Sequence, residues 1–364
     1  MTDSIGGEVI FSGIDKYFGD FAAVVDLNLT VHSGEFFTLL GPSGSGKTTT
    51  LRMLAGLEAA TGGDISIDGR SVTDVVPEKR NVGLVFQNYA LFPHMTVTDN
   101  IRFPLTMRKT PKALVRGKVE KVLRMTQLED FRARYPRELS GGQQQRVAVA
   151  RAFVYDPKIL LMDEPLGALD RNLRDRLRLE LKALQQRIGA TVLYVTHDQD
   201  EALALSDRVG VMHRGRLQQV ATPVEMYERP VNSFVAKFLG DSVCLGAKRA
   251  ERGARTALDV EGVGGRVLVE PANDVCDGET GVMMVRPEKF RVHADEPDAA
   301  AGNRLSGTVE ATVYLGAVVH VYLRADSGAR IQVHSPAGEV RLSAGERRWL
   351  SWSPADTLFL PVVT

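Results

Sequence analysis

An α/β domain wound around a parallel sheet, followed by a small all-β, OB-like barrel, is the architecture this sequence predicts. Three observations carry that expectation. Short apolar runs end in polar, chemistry-bearing residues; one of these runs opens into a glycine-rich turn and then a helix; and beyond about residue 240 the pattern changes to short alternating segments. The 364 residues leave room for about two domains at ~150 residues each, enough to bury a core without crosslinks or metals.

The first segment, "MTDSIGGEVIFSG", is polar and glycine-rich and lacks the basic and apolar regions of a secretory signal. No apolar run approaches the ~18 residues of a membrane span. With 44% hydrophobic residues, 25% charged residues and a formal net charge of +0, the composition is that of a soluble globular protein with no footprint for nucleic acid. Cys244 and Cys276 are far apart and outside any metal-ligand spacing, which points to a reducing compartment and away from a disulfide framework.

The run "EFFTLL" has the length and composition of a buried strand, and Leu51, Leu54 and Leu57 recur downstream at helical spacing. Between them lie Gly41, Pro42, Ser43, Gly44, Ser45, Gly46, Lys47, Thr48 and Thr49, which fit G-x-x-x-x-G-K-[ST]. Glycines let the backbone wrap with its N–H groups inward, and the start of a helix offers unsatisfied donors and a positive dipole end. Such a turn suits a polyphosphate: Lys47 as a point charge on the β- and γ-phosphates, Thr48 as a Mg²⁺ ligand.

A second run, Ile159 to Met162, delivers Asp163 and Glu164 at its end. Ligands of open α/β sheets sit beyond the carboxyl ends of the strands, so this pair is expected beside the phosphate turn, with Asp163 on the metal and Glu164 as general base toward water. A third run, "ATVLYVTHD", ends in His197, expected to contact the γ-phosphate and the charge that develops on it. Leu173, Leu177, Leu181, Leu184 and Ile188 form one helical face assigned to core packing, with Gly189 as the stop.

The segment "LSGGQQQRVAVARA" adds a second glycine-rich helix start, with Ser140, Gly141, Gly142 and Gln143 able to aim backbone donors at an anion. With it the first 240 residues or so resemble the ATP-binding cassette (ABC) ATPases, whose motifs occur here in order: phosphate loop, Gln87, signature at Ser140, acidic strand end, "GALD" ending in Asp170, and His197. The resemblance implies ATP and Mg²⁺ as cofactors, with Thr48, Gln87 and Asp163 around the metal and Glu164, His197, Gln87 and Lys47 in catalysis. It also implies a homodimer in which the signature serves the nucleotide of the opposite protomer. Phe18, before Gly19, matches the adenine-stacking position; Tyr17 is the neighbouring alternative, and a core role for Phe18 fits the pattern as well.

Residues 1–240 are thus expected to form the ATPase domain, with a helical subdomain at about 88–155 where Leu114, Val119, Val122 and Leu123 recur at helical spacing. In the resembled family a membrane subunit docks there, and Tyr89, Leu91, Phe92 and Met95 are candidate exposed contacts, with buried packing as the alternative. In residues 241–364, Val309, Ala311, Val313 and Leu315, then Val319, Val321 and Leu323, then Ile331 and Val333, alternate as barrel strands. This part resembles the accessory β-domain of certain ABC importers and is read as regulatory or dimer-forming. "VFQNYALFPHMTV", "RYPRELSGGQQQRVA" and "VRPEK" bring the chain nearest to the ATP-binding subunits of spermidine/putrescine importers; importers of ferric iron, sugar, glycerol phosphate or phosphonate share much of this. The expected partners are two transmembrane permease subunits and, through them, an extracytoplasmic binding protein, at the cytoplasmic side of the inner membrane. A soluble, non-transport ABC ATPase is the alternative of another class.

Overall fold

Strand after strand in the first half is apolar on both faces, as a sheet covered on both sides requires. The structure is a computed structural model describing residues 6–166, 171–252, 255–298, 302–338 and 342–363. It divides into two compact units, Met1–Met226 and Tyr227–Thr364.

In the first unit, β1 (Val9–Phe18) and β2 (Phe21–Val31) form a hairpin across Gly19 and Asp20, then β3 (Phe36–Leu40) leads into α1 (Lys47–Ala55). Gly19, at φ 56°, supplies the left-handed turn such a tight hairpin needs. β4 (Gly62–Ile67) pairs with β1, and β5 (Arg70–Ser71) with β4, completing an antiparallel sheet. After β6 (Val82–Val85) come α2 (Val97–Met107), α3 (Lys112–Met125) and α4 (Gly141–Phe153). The chain returns to the sheet through β7 (Ile159–Asp163), α5 (Arg171–Ile188), β8 (Thr191–Thr196), α6 (Gln199–Leu205), β9 (Arg208–His213) and β10 (Arg216–Ala221).

The second sheet runs β10-β9-β3-β8-β7-β6, parallel except for β10. Its topology sets the carboxyl ends of β3, β8, β7 and β6 side by side, and these ends carry the phosphate turn, His197, Asp163 with Glu164, and the loop with Gln87. One core joins helices to sheet: Ile101, Leu105, Val122, Leu123, Val147 and Phe153 pack with Phe36 and Tyr194. Val119, Val122 and Leu123 are buried as expected, whereas Leu114 is exposed. Leu57 also differs: α1 stops at Gly56, at φ 76°, leaving Leu57 exposed beyond it. There Arg80 donates to the Met53 and Leu54 carbonyls at 2.6 and 3.1 Å, satisfying the helix's last acceptors. On α5, Leu177, Leu181 and Ile188 are buried and Gly189 ends the helix at φ 72°; the Leu173 side chain lies outside the described residues.

The division falls within α7 (Pro223–Glu228), earlier than the expected 240, because α8 (Ser233–Phe238) packs with the second unit. Ala236 sits among Met284, Leu358 and Leu360, and the buried Arg286 guanidinium donates to the Tyr227 and Ala236 carbonyls. Two five-stranded antiparallel sheets build this unit. One contains β11 (Val243–Arg252), β12 (Thr256–Val260), β13 (Arg266–Val269) and β14 (Thr280–Val285); the other contains β15 (Arg291–His293), β16 (Asn303–Tyr314), β17 (Val318–Ala325), β18 (Arg330–Pro336) and β19 (Arg347–Trp352); β20 (Leu358–Leu360) closes the first.

The expected alternation holds for Val319, Val321, Leu323, Ile331 and Val333, all buried. Along β16 it fails after Val309: a register shift falls between Val309 and Ala311, and from Glu310 to Leu315 both faces of the chain are exposed, Ala311, Val313 and Leu315 among them. Among the described residues no helix is long and apolar enough to cross a membrane.

Candidate active site

A glycine-rich turn holds an anion only if its donors stay free, and the start of α1 is built that way. Gly46, at φ 101°, precedes the helix and no side chain caps it. A Cβ on Gly46 would lie 2.4 Å from the Ala23 carbonyl, so glycine is required there on both conformational and steric grounds. Lys47 is buried and donates to the Gly41 and Pro42 carbonyls at 2.8 and 2.9 Å, so its ammonium sits inside the loop. Burial lowers its pKa, with Glu164 and Asp163 opposing that shift.

The Thr48 hydroxyl donates to Asp163 Oδ1 at 3.0 Å, joining two of the three expected metal ligands. The Asp163 carboxyl is held above its ordinary pKa, first by burial, with the Thr48 hydrogen bond opposing and neighbouring Glu164 adding to it. Glu164 follows at φ 45°, a left-handed conformation uncommon for a residue with a side chain, and its N–H donates to the Val195 carbonyl at 2.9 Å. Thus pinned to β8, its carboxylate lies 3.0 Å from His197 Nδ1. Asp198, next to His197, caps α6 by accepting from the Glu201 N–H at 3.0 Å and is held by Arg174 at 2.8 Å.

One concavity gathers Phe18, Phe21, Ala23, the loop from Ser43 to Thr49, and Glu164. Phe18 is 48% exposed, which excludes a core role, and Lys16 lies 4.6 Å from its ring centre. Tyr17 is exposed too but does not line this concavity. Phe21 is a residue the motif reading missed; it pairs with Phe18 across the hairpin, and "YFGDF" was the available signal. A polyphosphate fits the residues present. Among the described residues the buried Ser45 hydroxyl has no hydrogen-bond partner, the helix start is uncapped, and a threonine and a carboxylate stand together for a hard cation.

Other expected residues lie apart from the concavity. Gln87 is exposed on the loop after β6. Of the two readings open for Tyr89, buried packing holds: it is buried, and its hydroxyl donates to the Pro165 carbonyl at 2.8 Å; Leu91, Phe92 and Met95 are half-buried. Arg151 of α4, which carried no local sequence signal, donates to the Tyr89 and Ala90 carbonyls at 2.7 Å each. The Gln87 loop is thereby tied on one side to the signature helix and on the other to the segment following Glu164.

Ser140 starts α4, its hydroxyl accepting from the Gln143 N–H at 3.4 Å while Gln143 Oε1 accepts from the Ser140 N–H at 2.9 Å. Gly142 is buried against Leu177 of α5, where a Cβ would meet a leucine methyl at 2.9 Å. Asp170 and the rest of "GALD" lie outside the described residues.

Comparison with known proteins gives the family. A sequence profile described as ABC transporter matches residues 24–167, and one described as TOBE domain matches residues 283–360. The spermidine/putrescine import ATP-binding protein PotA of Oleidesulfovibrio alaskensis is 45% identical over 352 residues, covering 93% of this chain and 94% of that protein. PotA of Nitrosomonas eutropha is 47% identical over 351 residues, covering 95% and 96%. A dimeric ATP-binding cassette solved in a post-hydrolysis state with ADP and Pi superposes with a TM-score of 0.52 at 33% identity, over 59% of this chain and 98% of that one. The chain therefore belongs to the ABC transporter family, as an ATP-binding, ATP-hydrolysing subunit whose cassette is followed by a TOBE domain.

Proposed function

We propose that this ATPase energises import of polyamines, spermidine and putrescine, as a peripheral subunit at the cytoplasmic side of the inner membrane. The observation that carries the reading is likeness along the whole chain, TOBE domain included, to proteins named for that import. Two copies would pair with two permease subunits that receive polyamine from an extracytoplasmic binding protein.

In this reading the adenine stacks on Phe18, with Phe21 beside it, and the phosphates lie along Ser43–Thr49. The Lys47 ammonium exchanges its loop carbonyls for β- and γ-phosphate oxygens. Thr48 and Asp163, already in contact, and Gln87 from its loop would hold Mg²⁺, which when bound neutralises charge on the phosphate oxygens. Glu164 takes the proton from the attacking water. His197, with Nδ1 3.0 Å from the Glu164 carboxylate, would orient that base and contact the γ-phosphate. Ser140 to Gln143 would close over the nucleotide of the opposite protomer, with Asp170 at the seam between them. Because Arg151 and Tyr89 tie the Gln87 loop to both the signature helix and the Glu164 segment, occupancy at the catalytic centre can reposition the loop that faces a permease.

The test is uptake. Cells lacking this chain should lose ATP-dependent accumulation of labelled spermidine and putrescine and regain it on complementation, and multi-span proteins should copurify with it from gently solubilised membranes. Intact polyamine uptake with loss of another solute would overturn the passenger. Recovery with ribosomes or DNA-bound proteins and no membrane protein would overturn transport itself.

A further inference from the structure

In the second unit, a site unrelated to the nucleotide motifs lies on β17 and β18. His320 and His334 are directly opposite each other across these strands, on the face away from the core formed by Val319, Val321 and Val333. Their rings stack with centroids 3.8 Å apart and planes 10° from parallel. Asp241, immediately ahead of β11, brings Oδ2 to 3.4 Å from His334 Nε2, and one ligand atom from each of the three residues lies within 4.8 Å of the others. Gln332 reaches the same point: its amide nitrogen is 3.0 Å from Asp241 Oδ2, 2.8 Å from His334 Nε2 and 3.4 Å from His320 Nδ1.

The carboxylate can only accept, so Gln332 presents its NH₂ there, and two amide hydrogens face three acceptors. A ring nitrogen that accepts from an amide is unprotonated, with its lone pair aimed at the cluster centre. Two imidazole nitrogens and one carboxylate oxygen within 4.8 Å of one another are the donor types of a three-protein-ligand zinc site, in which water completes the tetrahedron.

We propose that Asp241, His320 and His334 bind a divalent transition ion of the zinc class. One ring turns out of the stack, so that both in-plane nitrogen lone pairs face the ion, as Gln332 withdraws. The ion then clips the β17–β18 hairpin to the segment that enters β11, a link confined to the second unit and separate from the ATP site.

The test is calorimetric titration of Zn²⁺ into the tag-free full chain, chelator-treated and without nucleotide, alongside Asp241→Asn, His320→Ala and His334→Ala. The wild type should take up one Zn²⁺ that each variant binds at least ~10-fold more weakly, the loss expected even for partners one shell out from a metal. Co²⁺ should give tetrahedral d–d absorption that the same variants lose. Asp241 is exposed, so Asp241→Asn keeps the test decisive should a histidine variant fold poorly. Zn²⁺ binding or Co²⁺ spectra unchanged in Asp241→Asn and the histidine variants would overturn the site.

Discussion

Two glycine-rich helix starts in this chain look alike as sequence and differ as structure. The start of α1 is uncapped, its Lys47 is buried, and the neighbouring Ser45 hydroxyl has no partner among the described residues. The start of α4 is closed on itself, with Ser140 and Gln143 satisfying each other's backbone donors. An uncapped helix start in reach of a lysine and two carboxylates is equipped to bind an anion within one protomer. A capped one must first give up its capping box, so a ligand from outside the protomer has to supply the replacement contacts. In the proposed reading, this difference separates a motif that builds a concavity within the chain from one that would serve the nucleotide of a partner.

The largest effects should come from the self-contained site. Glu164→Gln keeps shape and removes the base; ATP should still bind while turnover falls by ~10²-fold or more, as loss of a positioned general base does. Lys47→Ala should abolish nucleotide retention along with turnover, yet leave the fold intact, since it removes a cation whose pKa burial has already lowered. Steady-state ATPase assays and equilibrium binding of a fluorescent ATP analogue separate the two outcomes. Near-normal turnover in Glu164→Gln would remove the distinction between a catalytic and a merely adjacent carboxylate.

The signature should respond only across the dimer. In mixed dimers carrying Ser140→Arg in one protomer and Glu164→Gln in either the same or the other, the arginine should disable the nucleotide held by its partner's phosphate loop. Residual turnover would then survive when both substitutions spoil the same nucleotide, that is, when they sit on opposite protomers. Survival when they sit on the same protomer would place the signature on its own nucleotide and end the contrast with α1.

A smaller effect distinguishes the aromatics at the mouth. Phe18→Ala should weaken nucleotide binding by about 1–3 kcal/mol, the usual worth of a base–aromatic stack, while Tyr17→Ala should leave it unchanged. The opposite ranking would move the adenine to Tyr17.

Motif spacing made the centre of this site legible. Each chemical residue sits at the end of an apolar run, and the parallel sheet brings those ends together without distant information. What the sequence hid depends on contacts far along the chain. Arg151 meets the Tyr89 and Ala90 carbonyls across about 60 positions, and Arg80 reaches back to Met53; neither has a periodic signature. For Tyr89 the sequence leaves exposed docking and buried packing open, because nothing local records that Pro165 accepts its hydroxyl hydrogen. In β16 the alternation continues past Val309 in the sequence, while both faces of the strand are exposed from Glu310 on. Alternation marks an inward face only where another layer covers the strand.

The smallest effect concerns the cost of keeping the metal carboxylate ready. Burial raises the Asp163 pKa, so folding disfavours its ionised form, whereas in the unfolded chain the group titrates near ~3.9. The sign follows: at neutral pH ionised Asp163 subtracts from stability, the penalty fades as pH falls through the raised folded value, and it is gone below the unfolded one. Asp163→Asn keeps an acceptor for the Thr48 hydroxyl and removes the charge. Without nucleotide its Tm should exceed wild type at pH 7 by about 1–2 °C in a domain of this size, and the gap should narrow as the pH is lowered toward 4. Differential scanning calorimetry at several pH values reads both features. A Tm below wild type at pH 7 would mean that Asp163 is a net structural support, and the contrast between a site poised for ligand and one closed on itself would lose its energetic basis.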